Sequence, residues 1–245
     1  MIYTGVSEAG HITLADVLES AARFQEVVPD SILVGGSAAA FYASHRISFD
    51  HDHVLADLNE RFDLVLEAIE TTDGWVTNRV VPNKIILGEL GDIEAGVRQL
   101  IRRKPLEATI VQLPSGKKLR VPTLDETLRI KGYLIVNRNQ TRDFLDVAAL
   151  TEHMGLREAA AVLAGIDDYY SDQYGEGKGV AAQLVRQLAE PLPKDSRTTH
   201  ELDRYRRLDA RWHDWLTVIN ACQLLASAIL SAAESPDGDG SGDGT

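Results

Sequence analysis

Cysteine is almost absent from this chain: among 245 residues there is one, Cys222. A single cysteine cannot form a disulfide within the chain, which excludes the class of small secreted domains that disulfides stabilise. Cys222 lies in an apolar run with helical periodicity, so we expect a buried structural thiol there rather than a nucleophile. Stability must then come from a hydrophobic core, and a chain of this length can bury a sizeable one.

Positive charge is also scarce, with 25 lysines and arginines against 37 aspartates and glutamates and a net charge of −12. This sign argues against a protein that holds nucleic acid over its whole surface. Part of the negative charge comes from residues 234–245, which are rich in glycine and aspartate and are predicted to form a disordered tail. An RNA would have to use a local basic patch, for which the candidates are Arg98, Arg102, Arg103 and Lys104.

Long apolar segments and targeting signals are missing as well. No stretch approaches the roughly 18 apolar residues of a membrane-spanning helix. The first eight residues lack the basic region and the apolar core of a signal peptide. With an apolar content of 44 %, the sequence predicts a globular protein that stays in the cytoplasm and does not interact with a membrane.

The most informative segment begins with Gly-Gly-Ser at 35–37, directly after an apolar strand predicted at 31–34. These small residues open a short helix that is expected to end near residue 46. Backbone N–H groups at a helix start bind phosphate well, because they have no partner within the helix and the helix dipole adds positive potential. Gly35, Gly36 and Ser37 are therefore candidate nucleotide-binding residues.

The strand that follows this helix carries Ser48, Asp50 and Asp52 at alternate positions. Side chains two apart on a strand point to the same face, so two carboxylates and a hydroxyl should lie together. Two like charges this close repel unless a cation neutralises them. Oxygen ligands of this type suit Mg²⁺, or alternatively Mn²⁺, with waters and substrate phosphates completing the shell. The segment therefore predicts one site for a nucleoside triphosphate (NTP) and its metal.

This pattern resembles the signature of the nucleotidyltransferase superfamily: Gly-Ser or Gly-Gly-Ser, a helix, then Asp-x-Asp on the next strand. The form Gly-Gly-Ser…His-Arg-Ile-Ser-x-Asp-x-Asp is most similar to the abortive-infection nucleotidyltransferase toxins of the AbiEii and MenT types, which belong to toxin–antitoxin pairs. The resemblance implies transfer of a nucleoside monophosphate from an NTP such as ATP to tRNA, at its 3′ end, with release of pyrophosphate. It also implies a cognate antitoxin as a partner.

A second segment is similar to the same family. There, a helix lysine is followed about a dozen residues later by Arg/Lys-Asp-x-x-Asp, and this chain has Lys131, then Arg142, Asp143 and Asp146. The resemblance implies that Lys131 contacts nucleotide phosphate and that Asp143 or Asp146 supports the site. A lysine is a mobile point charge that suits phosphate and would offset charge on the pyrophosphate leaving group. Arg142 would flank the same groove.

Transfer chemistry of this kind needs a third carboxylate from a neighbouring strand to position the incoming hydroxyl. Asp92 and Glu94 both follow an apolar strand and point the same way, so only the register with the Asp50 strand can separate them. We choose Asp92 as the third metal ligand, with Glu94 as the alternative.

Hydrophobic periodicity predicts an α+β fold with a nucleotidyltransferase-like core, in which helices pack on a mixed β-sheet. The core is expected at 1–122, and an all-helical C-terminal bundle at 123–233. Thr123 and Glu126 are spaced as a capping box that starts the first helix of the bundle. Other predicted helices lie at 156–171, 197–209 and 211–233.

Three alternatives remain open at this point. The same fold carries kinases and small-molecule adenylyltransferases, and an acidic surface suits a small acceptor better than tRNA. A non-catalytic binding or antitoxin-like module would keep the fold without the chemistry. His51 and His53 alternate with the aspartates where the family usually has apolar residues, so a transition-metal site is a further alternative.

Overall fold

A computed structural model describes residues 12–173, 179–205 and 207–234 of the chain. The predicted acidic tail at 234–245 lies outside these residues, apart from Glu234. The described residues form two units. Of the described residues, the first unit contains 12–127 and 207–209, and the second contains 128–173, 179–205 and 210–234.

The first helix, α1 (Leu14–Val27), begins at a capping box. The Thr13 hydroxyl accepts a hydrogen bond from the Asp16 N–H at 3.2 Å, and the Asp16 carboxylate accepts one from the Thr13 N–H at 2.8 Å. These two bonds satisfy backbone donors that the helix itself leaves unpaired, which fixes where the helix begins.

A five-stranded mixed sheet forms the centre of the first unit, in the order β1-β2-β5-β4-β3. Its strands are β1 (Ile32–Val34), β2 (Asp50–Leu55), β3 (Trp75–Val81), β4 (Ile85–Leu90) and β5 (Ile93–Gln99). The pair β2–β5 is parallel and the other pairs are antiparallel. Helix α2 (Gly35–Ala43) follows β1 directly, and α3 (Phe62–Glu70) precedes β3; a separate hairpin consists of β6 (Ala108–Gln112) and β7 (Lys118–Pro122).

The two faces of the sheet differ, and β2 shows how. His51, His53 and Leu55 are buried, whereas Asp50, Asp52 and Val54 between them are partly exposed. The buried face packs on apolar residues of α1 and α3, in a cluster whose members include Phe24, Leu58, Phe62, Ile86 and Val97. One face of the sheet is thus core and the opposite face, which carries the two aspartates, is accessible.

Within its described residues, the second unit has helices joined by loops and no strand. Its helices are α4 (Leu124–Arg138, which starts in the first unit), α5 (Thr141–Met154), α6 (Leu156–Ala164), α7 (Asp167–Tyr170), α8 (Val180–Ala189) and α9 (Trp215–Glu234). The helix predicted at 156–171 is wrong as one element, because it is interrupted between α6 and α7 by Gly165, a poor helix former.

The α-helix predicted at 197–209 is also wrong. The structure has two short 3₁₀ helices there, at Ser196–His200 and Leu202–Arg204. Among the described residues of this stretch, Leu202 and Leu208 alone are buried, which is too few for the apolar stripe that would stabilise a long helix against a core. The last predicted helix begins later than expected, at Trp215.

Helix α9 corrects the expectation that no segment could cross a membrane. By length and composition it is long and apolar enough to do so, a test that core helices of soluble proteins also pass. Inside the second unit it buries Val218, Cys222, Leu225 and Ile229. Burial raises the pKa of Cys222 to about 12, so this side chain is a protonated, inert thiol.

Candidate active site

Asp52 lies beside the start of α2. The register between β1 and β2 pairs Val34 with Asp52, and α2 begins at the next residue, Gly35. Gly35 has φ +77°, and a Cβ there would lie 3.3 Å from Asp52 Oδ2. A glycine at this position therefore lets the backbone turn into the helix and leaves space next to the carboxylate.

Asp50 is held by two hydroxyl groups. Ser48 Oγ donates to Asp50 Oδ1 at 2.6 Å, and Ser37 Oγ donates to the Asp50 carbonyl oxygen at 2.5 Å. Ser48 was predicted to lie on the same strand as Asp50, but β2 begins two residues after it; its hydroxyl nevertheless reaches the carboxylate. Both serines are buried, and together they fix Asp50 to α2 and to the segment before β2.

Arg46 lies at the site, although it was not among the site residues predicted from the sequence. Its buried guanidinium lies against Gly36: a Cβ at Gly36 would be 2.7 Å from Arg46 Nη2 and would clash with the Ser48 hydroxyl. A buried cation therefore stands beside the start of α2 and close to the serine that binds Asp50. The available signal was the arginine two residues before that serine, within the motif itself.

The strand register separates the two candidates for the third carboxylate. In the parallel pair of β2 and β5, Asp50 lies opposite Glu94, and Asp52 lies opposite Gly96. Paired residues share a face, so Glu94 lies on the accessible face next to Asp50. Asp92 is in the turn before β5 and is exposed. The register favours Glu94 over the predicted Asp92, and the identity of the third carboxylate stays a prediction.

If the site transfers nucleotides as the sequence predicts, Glu94→Gln should lower the rate of transfer by roughly 10²-fold or more, because a group that positions charge at the reacting atoms is removed. Asp92→Asn is the matched control and should change the rate by less than about threefold, within the range of a surface substitution. Single-turnover rates of both variants measure the difference. The opposite order of effects would restore Asp92 as the third carboxylate.

The donor atoms fit a magnesium ion that is shared with a substrate. Asp50 and Asp52 offer hard oxygen ligands on one accessible face, beside a glycine that leaves room. Among the described residues there is no group of three His, Cys, Asp or Glu side chains that could hold a metal alone. Such a partial set is what Mg²⁺ uses when waters and phosphates complete its shell.

Asp52 also has a basic neighbour on β5. Arg98 Nε lies 3.5 Å from Asp52 Oδ1. The exposed fraction is 43 % for the Arg98 side chain and 34 % for that of Asp52. A long, solvated ion pair of this kind contributes little to stability, so it leaves Asp52 able to bind a cation. Arg98 is also one of the residues predicted to contact RNA.

His51 and His53 point away from this site, into the core. His51 Nδ1 lies 3.1 Å from His53 Nε2, and Phe24 packs on both rings. Burial lowers the pKa of His51 to about 4 although the charge of Asp50 acts in the opposite direction, and burial also lowers the pKa of His53 well below its usual value. Both rings are therefore neutral at pH 7 and support β2 from behind.

The second predicted segment lies in the helical unit and forms two ion pairs. Lys131 Nζ is 2.7 Å from Asp146 Oδ2, and both side chains are almost fully buried. Arg138 binds both carboxylate oxygens of Asp143, at 2.6 and 2.7 Å. Arg142 is partly buried. The roles of Lys131, Arg142 and the two aspartates in nucleotide binding stay predictions.

Breaking the buried pair tests whether Lys131 does more than stabilise the helices. Lys131→Met should lower the free energy of unfolding by about 3–5 kcal/mol, because it leaves Asp146 charged and buried. Lys131→Met combined with Asp146→Leu should recover most of that loss, since replacing both charges by apolar groups is often neutral. If Lys131 also binds phosphate, the double variant will be stable but will have a raised KM for NTP; an unchanged KM would limit Lys131 to a structural role.

The basic run predicted to contact RNA is only partly available. Arg102 is buried and binds Glu126 at 2.7 Å, and it donates to the carbonyl oxygens of Lys104 and Pro105. Arg103 and Lys104 are exposed. Glu126 was expected to complete a capping box with Thr123; instead its carboxylate pairs with Arg102, while the Thr123 hydroxyl accepts from the Glu126 N–H at 3.2 Å.

Comparison with protein-family models gives no match. In sequence, the chain is 35 % identical over 241 residues to the heme uptake protein MmpL11 of Mycobacterium tuberculosis, covering 89 % of this chain and 23 % of that protein. It is 46 % identical over 133 residues to the mycolic acid-containing lipids exporter MmpL11 of Mycolicibacterium smegmatis, covering 54 % of this chain and 13 % of the exporter. The chain thus spans less than a quarter of the length of these curated relatives.

In structure, the chain is similar to MenT4, a nucleotidyltransferase toxin of Mycobacterium tuberculosis. The TM-score is 0.50 at 18 % sequence identity, and the superposition covers 92 % of this chain and 95 % of MenT4. At this level of identity the likeness shows the fold. The predicted α+β class, with a nucleotidyltransferase-like mixed sheet and packed helices, is therefore confirmed.

Proposed function

We propose that the chain is a nucleotidyltransferase that transfers a nucleoside monophosphate from an NTP to an acceptor hydroxyl and releases pyrophosphate. The observation that carries this proposal is the position of Asp50 and Asp52, which share the accessible face of β2 directly beside the glycine start of α2. Ligands for a divalent cation and N–H groups for phosphates then lie within one short segment of chain.

The residues at this site would have separate roles in binding phosphate, binding the metal and positioning the acceptor. The first N–H groups of α2, from Gly35 to Ser37, would donate to the β- and γ-phosphates. Asp50 and Asp52 would hold Mg²⁺, which would supply charge neutralisation and a more acidic acceptor hydroxyl. Glu94 would orient that hydroxyl. The oxygen of the acceptor hydroxyl would form the new bond to the α-phosphorus as the bond to the pyrophosphate oxygen breaks. The hydroxyl proton would pass to solvent.

The acceptor that we propose is tRNA, at its 3′ end, which makes the chain a toxin held in check by a cognate antitoxin in the cytoplasm. The motif from Gly35 to Asp52 supports this assignment, because it is similar to the sequence signature of the nucleotidyltransferase toxins. The fold shared with MenT4 agrees with it. Of the predicted basic run, Arg103 and Lys104 are exposed and Arg98 is half-buried, and these three side chains would contact RNA in an otherwise acidic chain.

Labelled nucleotides test the proposal directly. The protein is incubated with each of the four α-³²P-labelled NTPs, Mg²⁺ and total tRNA, and label in the tRNA band is expected for at least one NTP. Label in a small-molecule fraction, with none in tRNA, would favour the small-molecule adenylyltransferase. No incorporation into any fraction, together with normal growth on induction, would favour the non-catalytic module.

The curated relatives favour a second candidate, in which the chain is a module of a membrane transport protein. Its support is the identity over 89 % of the chain to a protein named for heme uptake. The accessible side of α9 agrees with this candidate, because Leu216, Leu224 and Leu230 are exposed there. Fractionation of cells that express the chain tests it: recovery in the membrane pellet after a high-salt wash supports a membrane association.

A further inference from the structure

A cavity of about 440 Å³ opens on the first unit, on the same face of the sheet as the two aspartates. Its walls include Ile32, Val54, Leu100, Leu106, Ile110 and Arg120. Val54 follows Asp52 by two residues on β2, so the two side chains share a face about 7 Å apart. Ile32 is the partner of Val54 on β1. The cavity thus lies on the same face of the sheet as the carboxylates, next to them along β1 and β2.

The hairpin β6–β7 forms the far wall of this cavity. Leu119 and Val121 pack on the core side with Leu33 of β1, so Arg120 between them faces the opposite side, toward the cavity. In the hairpin register, Ile110 lies across from Arg120 and shares that face. The backbone of Arg120 is fixed by Gln25, which accepts from its N–H at 2.7 Å and donates to its carbonyl at 2.9 Å.

The chemistry of the walls suits a flat ring with polar edges. Most of the lining is apolar, and the Arg120 guanidinium makes no hydrogen bond or ion pair with any other described residue. A guanidinium stacks on an aromatic face or donates two parallel hydrogen bonds to adjacent acceptors, as nucleobases present them. A volume of this size lies in the range of small-molecule sites.

The position of the cavity relative to the phosphates indicates whether it holds the nucleoside of the NTP or the acceptor. The start of α2 adjoins β1, so a leaving pyrophosphate would lie on the β1 side of Asp50 and Asp52. In-line attack brings the acceptor from the opposite side, which is β5 with Glu94. The nucleoside is attached to the α-phosphorus to one side of that axis. It would extend along β2 toward Val54 and the cavity.

We propose, on the basis of the function proposed above, that this cavity binds the nucleobase and ribose of the NTP and that Arg120 contacts the base. Arg120 and the side chains of the β6–β7 hairpin then determine which NTP is used. The phosphates would be bound by α2 and the carboxylates, and the nucleoside by a different group of residues in the same unit.

A filled cavity tests the proposal. Ala108 lines the cavity from β6 and is exposed, so Ala108→Trp should block it without disturbing the core. Gln112→Trp, on the same strand but outside the cavity, is the matched control. With Mg²⁺ present, Ala108→Trp should weaken NTP binding at least ~10-fold. It should leave the binding of inorganic triphosphate, which lacks a nucleoside, unchanged, and Gln112→Trp should change neither.

Arg120→Ala is the second variant and should weaken the NTP by about tenfold, again without effect on triphosphate, because a charge-assisted hydrogen bond is lost. If Ala108→Trp and Arg120→Ala bind NTP like the wild type, the cavity proposal is overturned while the transferase proposal stands. If they bind NTP normally but transfer to tRNA is lost, the cavity serves the acceptor, which also overturns it. A wild-type protein that binds neither NTP nor triphosphate would overturn both proposals.

Discussion

Asp50→Asn is expected to abolish nucleotide transfer, with a loss on the order of 10³-fold or more. The substitution removes one of two carboxylates on the accessible face of β2 and with it half of the protein ligands for Mg²⁺. The amide keeps the size of the side chain and can still accept a hydrogen bond from the Ser48 hydroxyl, which is 2.6 Å from Asp50 Oδ1. The fold should therefore survive while the chemistry fails.

Two measurements separate these effects. Label transferred to tRNA gives the rate, and thermal unfolding gives stability, which should change little because one of two neighbouring like charges is also removed. Asp73→Asn, in an exposed turn of the same unit, is the control and should retain full activity. An Asp50→Asn protein with wild-type transfer rates would remove Asp50 from the mechanism and, with it, the basis of the proposed function.

The local order of this site could be predicted from the sequence because its parts are close along the chain. Alternation on a strand places Asp50 and Asp52 on one face whatever the rest of the fold does. The small residues that start α2 and the distance to β2 likewise belong to one continuous segment. The capping box at Thr13 and the boundaries of most strands follow from equally local signals.

The strand register and the buried ion pairs could not be predicted from the sequence, because they depend on contacts between distant segments. The register of β2 and β5 places Glu94 opposite Asp50, and no pattern within either strand contains that information. Arg102 was interpreted as a surface cation, but it is buried because Glu126 lies beside it. The Thr123 N–H, which Glu126 was expected to bind in a capping box, donates to the Glu107 carbonyl oxygen, another contact between separate segments. Long-range pairing of charges has no periodic signature.

The helical unit shows the same limit on a larger scale. Repeated apolar residues predicted an α-helix at 197–209, where the structure has short 3₁₀ turns, because local propensity says nothing about which neighbours supply a core. Conversely, His51 and His53 looked like departures from a buried strand. They are buried, and the hydrogen bond between them together with Ser20 and Gln25 satisfies their polar atoms.

Gly36→Ala is expected to have the second largest effect, because space at this residue is already filled by two side chains. An added Cβ would clash with the Ser48 hydroxyl and lie 2.7 Å from Arg46 Nη2. Both neighbours are buried and cannot move outward freely. We expect the start of α2 to shift, which misplaces the N–H groups for phosphate and breaks the Ser48 bond to Asp50. Transfer should fall by roughly 10²-fold or more, since a displacement of about 1 Å has that cost.

Gly165→Ala provides the comparison, since the nearest atom to a Cβ there is the Val162 carbonyl oxygen at 3.9 Å and nothing is displaced. Overpacking at Gly36 should also lower the free energy of unfolding by about 1–3 kcal/mol, whereas Gly165→Ala should be neutral or slightly stabilising. The combination Gly36→Ala with Ser48→Ala removes the clashing hydroxyl but keeps the close contact with Arg46 Nη2, so it should recover part of the stability but not transfer, because Asp50 then lacks its serine. A Gly36→Ala protein with normal triphosphate affinity would show that the phosphates do not depend on the start of α2.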